Sequence, residues 1–138
     1  MKIVIDTNIL ISALIRNSVT RKLITKSGWE FYYPEMSLHE IRNYKGMILE
    51  KSGMAETEYT DLFNKLLSYI KLVPDRWVNL KLEEAKAELD NIDPDDAVFL
   101  AAALSLENSM IWSNDADFDR QDKVEVLKTK DVISLLKT

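Results

Sequence analysis

Apolar residues along this chain fall into two kinds of run that alternate. Short continuous stretches rich in β-branched and aromatic residues predict buried strands, and longer stretches with apolar residues three and four apart predict helices. Lys2-Ile3-Val4-Ile5 reads as a strand, broken off by the polar Asp6-Thr7-Asn8. Thr7 to Leu14 and Ser18 to Lys26 read as helical pieces, with Gly28 as the stop. Trp29 to Tyr33 (WEFYY) predicts a second strand, ended by Pro34. From Glu35 to about Lys51 the spacing predicts one helix with Met36, Ile41, Tyr44, Ile48 and Leu49 on a shared face, broken by Gly53. Ala55 to Ile70 is the clearest amphipathic helix, through Tyr59, Leu62, Phe63, Leu66, Leu67 and Ile70. Lys71-Leu72-Val73 predicts a short strand before Pro74, and a helix to about Leu89 follows it, carrying Leu82, Ala85 and Leu89. Asp93-Pro94-Asp95-Asp96 opens a helix over Ala97 to Glu107. Met110 to Trp112 and Val124 to Leu127 are strands, and Asp131 to Lys137 is a closing helix.

Strands alternating with helices require parallel pairing through right-handed crossovers. The expected fold is therefore α/β: a three-layer α/β/α sandwich around a central parallel sheet of about five strands. Ligands of such folds bind at the carboxyl ends of the strands, near the point where strand order reverses. The 138 residues contain no repeat and no linker, so residues 1–138 are expected to form one domain with one core.

Composition narrows the picture. An apolar fraction of 46% indicates a folded protein rather than a disordered one. No apolar run approaches the roughly 20 residues of a membrane-spanning helix, and no secretory signal precedes the first strand. A cytoplasmic protein with no membrane association is expected. The absence of cysteine excludes disulfides and thiolate metal sites. A net charge of −5 opposes a protein that grips nucleic acid mainly by neutralising phosphates. Much of that acid is clustered, however, and the clusters lie where the fold would place a ligand.

Asp6 follows the first strand, where it can cap the next helix or project into a pocket at the sheet edge. Asn8 adds a second polar group there. Asp115, in IWSNDADF, follows the strand Met110–Trp112 and so occupies a second carboxyl end. Asp117 and Asp119 fit a polar turn. In DPDDAVFLAAAL, Asp93 is a natural N-cap and Pro94 a natural first helical residue, but three carboxylates in four residues exceed what a helix start needs. Asp96, one turn in, can face the same edge. Glu40, beside the lone His39, fits a surface helix position as readily as a site; one histidine with no cysteine does not make a zinc site.

Several carboxylates in one pocket repel one another, and some stay protonated unless a cation joins them. Their hard oxygens suit Mg²⁺ or Mn²⁺, one or two ions, which neutralise charge and activate water for attack on a phosphoryl group. An acidic pocket can therefore serve a protein that cuts an acidic polymer.

Taken in order, IVIDTNIL, a glutamate on the helix after the second strand, DPDDAVFLAAAL and IWSNDADF resemble the PIN-domain ribonuclease family over residues 1–135. The resemblance implies an α/β/α sandwich and metal-dependent cleavage of RNA that leaves 5′-phosphate and 3′-hydroxyl ends. By motif it makes Asp6, Glu40, Asp96 and Asp115 the catalytic, metal-holding acids, with Glu35 the fallback for Glu40. Asn8, Asp93, Ser113 and Asp117 support them. Chains of this size also resemble the VapC-type toxins of toxin–antitoxin pairs, which implies a small antitoxin partner and commonly a homodimer. The helix through Tyr59–Ile70 is then either core or dimer face.

Arg16, Arg42 and Lys45 are the candidate RNA contacts, and Arg21, Lys22 and Lys26 also follow the first motif; the alternative for each is a solvated helix face. Other readings stay open at this stage: a stand-alone nuclease of RNA processing, a non-catalytic nucleic-acid-binding module of the same fold, or a phosphotransfer protein phosphorylated on Asp6. The last normally needs a lysine set among the acids, and neither DPDD nor SNDAD contains one.

Overall fold

The β-branched run at the start of the chain forms β1 (Lys2–Ile5), and its three apolar residues are all buried. In the computed structural model, which describes residues 1–15, 19–90 and 93–137, β1 is the middle strand of a five-stranded sheet ordered β3-β2-β1-β4-β5. The flanking strands are β2 (Glu30–Pro34), β3 (Ile70–Val73), β4 (Ser109–Trp112) and β5 (Glu125–Leu127). Every neighbouring pair is parallel. That agrees with the predicted parallel sheet and strand number.

Helices α1 (Thr7–Ile15) and α2 (Val19–Lys26) connect β1 to β2; α3 (Leu38–Asn43), α4 (Lys45–Ser52) and α5 (Glu56–Leu67) connect β2 to β3. Both connections step outward in the same direction. Helices α6 (Asp75–Glu88) and α7 (Pro94–Leu104) then carry the chain back across the sheet to β4, and α8 (Thr129–Leu136) follows β5. Right-handed crossovers in opposite directions must use opposite faces, which yields the three layers. The packing agrees: α1 lies against α2, α3, α4 and α5, whereas α7 lies against α6 and against β1, β2 and β4. Ala97, Ala101, Ala102 and Ala103 of α7 are buried, so its backbone approaches the sheet closely.

Three local expectations need correction. The predicted helix over Glu35–Lys51 is a 3-10 turn at Glu35–Ser37 followed by α3 and α4. The break falls at Tyr44, whose φ of −89° and ψ of 0° lie outside the helical basin, two residues before the poor helix former Gly46. Periodicity alone runs through such a break because Ile41 and Ile48 are buried on both sides of it. The second correction concerns Ile70, which belongs to β3 and pairs with Phe31 rather than extending the amphipathic helix. Within α5 it is Tyr59 and Leu66 that are buried in the chain's own core. Third, the helix after Asp93 starts at Pro94 and ends at Leu104, three residues before the predicted end. No helix among the described residues is long and apolar enough to cross a membrane.

Candidate functional site

Ile5 and Trp112 pair in register, so the residues that follow them, Asp6 and Ser113, leave the sheet side by side. From here the chain departs toward β2 on one side and toward β5 on the other. This is the reversal of strand order at which open α/β sheets form a crevice. Asp6 is 6% exposed and Ser113 is fully buried. The Asp6 Oδ1 accepts the Ile9 backbone N–H at 2.9 Å, the bond of an N-cap to the third residue of α1. Its Oδ2 accepts the Ser113 hydroxyl. Ser113 Oγ in turn accepts the Asp115 backbone N–H at 3.0 Å. Capping and projecting into a pocket are therefore compatible, because each carboxylate oxygen keeps accepting capacity beyond the bond it already makes.

The same local chemistry sets the other acids. Asp93 caps α7, accepting the Asp95 N–H at 2.9 Å, with Pro94 at the first helical position. Asp96 follows in the first turn. Asp115 caps a 3-10 turn, Ala116–Arg120, and accepts the Asp117 N–H at 2.9 Å. That turn folds Asp117 back: one carboxylate oxygen from each of Asp96, Asp115 and Asp117 lies within 4.8 Å of the other two. The sequence pattern places Asp117 in a polar turn beside the site; the structure puts it among the clustered acids, because the capped turn folds back on Asp96. Asp119 instead is exposed and pairs with Lys128 at 3.3 Å.

Asp96 carries the clearest mark of a cation site. Its Oδ2 is buried with no hydrogen-bond partner. Burial, the adjoining Asp117 carboxyl and the charges of Asp93 and Asp115 push its pKa up to about 8. Burial also raises the pKa of Asp6, opposed by the hydrogen bonds from Ser113 and Ile9. An orphaned buried oxygen among converging carboxylates fits an oxygen-ligated divalent ion, which satisfies the lone pairs and removes the repulsion.

A cavity of about 200 Å³ joins Asp6, Asp96 and Asp115 to Glu40 and Tyr44, and Asn8 and Asp93 also line it. Glu40 reaches it from α3, whereas Glu35 is exposed and does not line it. Burial raises the pKa of Glu40, against a hydrogen bond from Thr7. Thr7 Oγ1 lies 2.8 Å from the buried Tyr33 hydroxyl, which donates to the Ser37 carbonyl at 3.0 Å. These buried hydroxyls tie the start of α3 to the end of β1. Thr7 and Tyr44 were not among the expected site residues; a lone hydroxyl or phenol has no distinctive spacing to announce it. A second cavity, about 440 Å³, shares Asp6, Asn8 and Asp115 and continues past Thr20, Asn114 and Thr129.

The candidate RNA contacts are not gathered here. Arg42 is exposed and lines neither cavity. Lys45 pairs with Glu56 at 3.5 Å and lies 5.9 Å from the centre of the Tyr59 ring. Arg16 lies outside the described residues.

Comparison with solved structures finds the same fold in two complexes. One is a chain of VapBC2 from Rickettsia felis bound to a DNA fragment from their promoter, with a TM-score of 0.70, 17% identity, and coverage of 93% of this chain and 98% of that one. The other is a chain of DNA-bound VapBC from Salmonella typhimurium, with a TM-score of 0.68, 16% identity, and coverage of 93% and 98%. A search of curated proteins finds no match. A family model described as PIN domain matches residues 4–132, which takes in all the acids described above and every strand but the first two residues of β1, and the chain belongs to the PIN-domain family.

Proposed function

We propose that this protein is a metal-dependent endoribonuclease that hydrolyses RNA phosphodiester bonds, and that it is the toxin of a toxin–antitoxin pair. The observation that carries the nuclease reading is Asp96 at the sheet's switch point, whose carboxylate has a buried, partnerless Oδ2 and clusters with those of Asp115 and Asp117. Asp96, Asp115 and Asp117 would hold Mg²⁺ or Mn²⁺, with Asp6 kept in place by Ser113. A bound divalent ion supplies charge to offset the phosphoryl oxygens and lowers the pKa of water enough for attack at neutral pH. Glu40, whose proton affinity burial raises, lines the cavity opposite α7 and accepts a proton from the attacking water. Attack in line breaks the bond from phosphorus to the 3′-oxygen, which leaves and takes a proton from solvent water, giving 5′-phosphate and 3′-hydroxyl ends.

The toxin assignment draws on the two solved complexes, both of VapBC and both covering nearly the whole chain. It brings with it a small antitoxin partner, a homodimer and a cytoplasmic location, in one PIN-like domain over residues 1–138. Incubation with tRNA, ribosomal RNA fragments and mRNA in Mn²⁺, with EDTA and Asp96→Asn as controls, tests the activity. Cleavage by the wild type alone is expected, falling at least 100-fold in Asp96→Asn. Equal cleavage by Asp96→Asn would remove the site from the reaction. The toxin reading fails separately if expression of the active protein leaves growth unaffected.

A further inference from the structure

Away from the acids, the cleft between α2 and α5 forms a cavity of about 210 Å³ lined by Arg21, Lys22, Thr25, Lys26, Leu62, Lys65 and Leu66. Four of its seven lining residues are cationic and none is acidic, on a chain whose net charge is −5. Five of the lysines elsewhere, Lys45, Lys71, Lys86, Lys123 and Lys128, pair with carboxylates, and the unpaired Lys2, Lys51, Lys81, Lys130 and Lys137 line no part of this cleft. Among the described residues, Lys22, Lys26 and Lys65 make no ion pair. Arg21 is held in the cleft by its Nε, which donates to the Ala13 carbonyl at 2.7 Å. Lys26 in the last turn of α2 complements that helix's dipole, but this explains neither Lys22 nor Lys65, which come from different helices. Unneutralised cations facing one another across a cleft repel, so the arrangement favours a polyanion that lies between them.

The position of the cleft indicates which polyanion. Thr20, one residue before Arg21, lines the cavity that runs from Asp6 and Asp115. Helix α2 thus lines both the cavity that runs from Asp6 and Asp115 and the basic cleft. A strand whose scissile phosphate sits at the acids reaches the cleft within a few nucleotides.

We propose that the α2–α5 cleft binds the phosphate backbone of single-stranded RNA beyond the cleavage point, so that it determines affinity for long substrates rather than the chemical step. The proposal rests on the ribonuclease reading above. It is tested with Lys22→Glu/Lys26→Glu/Lys65→Glu and the milder Lys→Gln triple variant, whose folding is checked by circular dichroism. Binding of a labelled 30-nucleotide RNA is followed by anisotropy in EDTA, and cleavage of that RNA and of a tetranucleotide in Mn²⁺. Expected results are at least tenfold weaker binding for the Glu variant and a smaller loss for the Gln variant. For three lost phosphate contacts the slope of log affinity against log salt should become shallower by about 2. The kcat on the long RNA, and both constants on the tetranucleotide, should stay within about twofold of wild type. Unchanged binding and salt slope would overturn the proposal while leaving the nuclease reading intact. Equal losses on both substrates, or no RNA binding by the wild type, would also overturn it. Loss of binding to a polyglutamate peptide with RNA binding unchanged would reassign the cleft to an acidic protein segment. Binding by the wild type that the variants lose, with no cleavage of any RNA in metal, would sink the nuclease reading instead.

Discussion

At the scale of single residues, Ser113 and Asp96 have opposite relations to their surroundings. Ser113 is fully satisfied: its hydroxyl donates to Asp6 Oδ2 and its oxygen accepts the Asp115 N–H. Ser113→Ala strands a buried carboxylate oxygen and a backbone donor together. A loss of about 1–3 kcal/mol is expected from urea unfolding, with reduced cleavage because Asp6 loses the bond that holds it. Wild-type stability in Ser113→Ala would show that the bridge is unimportant. Asp96 is the reverse case, a half-buried carboxyl clustered with Asp117 that has one buried, unpartnered oxygen. Asp96→Asn places a neutral amide with N–H donors there and removes one charge from the cluster. The metal-free variant should therefore melt at a higher temperature than wild type at pH 8, although it loses cleavage. A lower melting temperature would mean that Asp96 helps the fold without metal.

At the scale of elements, α7 is the member whose fit matters most to the site. Its buried alanines let it lie close against the sheet, and its first turn delivers Asp96 to the crevice. Ala102→Leu adds side-chain volume at a fully buried position. Overpacking of this kind costs about 1–3 kcal/mol, and displacement of α7 should also weaken Mn²⁺ affinity, read by calorimetry. Unchanged stability and metal affinity would show that α7 has room to move. The apolar run and the cap–proline start made this helix visible in the sequence. The division of Glu35–Ser52 into a 3-10 turn and two helices was hidden, because its buried residues keep helical spacing across the break. That division matters, since Tyr44 at the break and Glu40 just before it both line the acid-lined cavity.

At the scale of the whole molecule, the acids make stability depend on pH and metal. In the folded protein Asp96 keeps its proton up to about 8, whereas its ordinary value is 3.8. Between these values the folded state binds more protons than the unfolded one, so metal-free stability falls as pH rises. The raised pKa values of Asp6 and Glu40 act in the same direction. A cation needs these groups deprotonated and displaces their protons, so its stabilising effect grows with pH. The melting temperature in EDTA should fall from pH 5 to pH 8, and Mn²⁺ should raise it more at pH 8 than at pH 5. A melting temperature in EDTA that rose over this range would contradict the protonated Asp96. The sequence alone determined the alternation of strands and helices, the parallel sheet, and the arrival of Asp6 and Asp115 at carboxyl ends, because those follow from local hydrophobic period and polar strand ends. Only the tertiary structure decided that Asp117 joins Asp96 and Asp115, that Glu40 rather than Glu35 lines the cavity, and that Lys65 faces Lys22 and Lys26 across a cleft. Each of these is a meeting of side chains from separate elements or a turn, fixed by how α7, α3 and α5 pack and how one capped turn folds back. No spacing along the chain encodes such meetings.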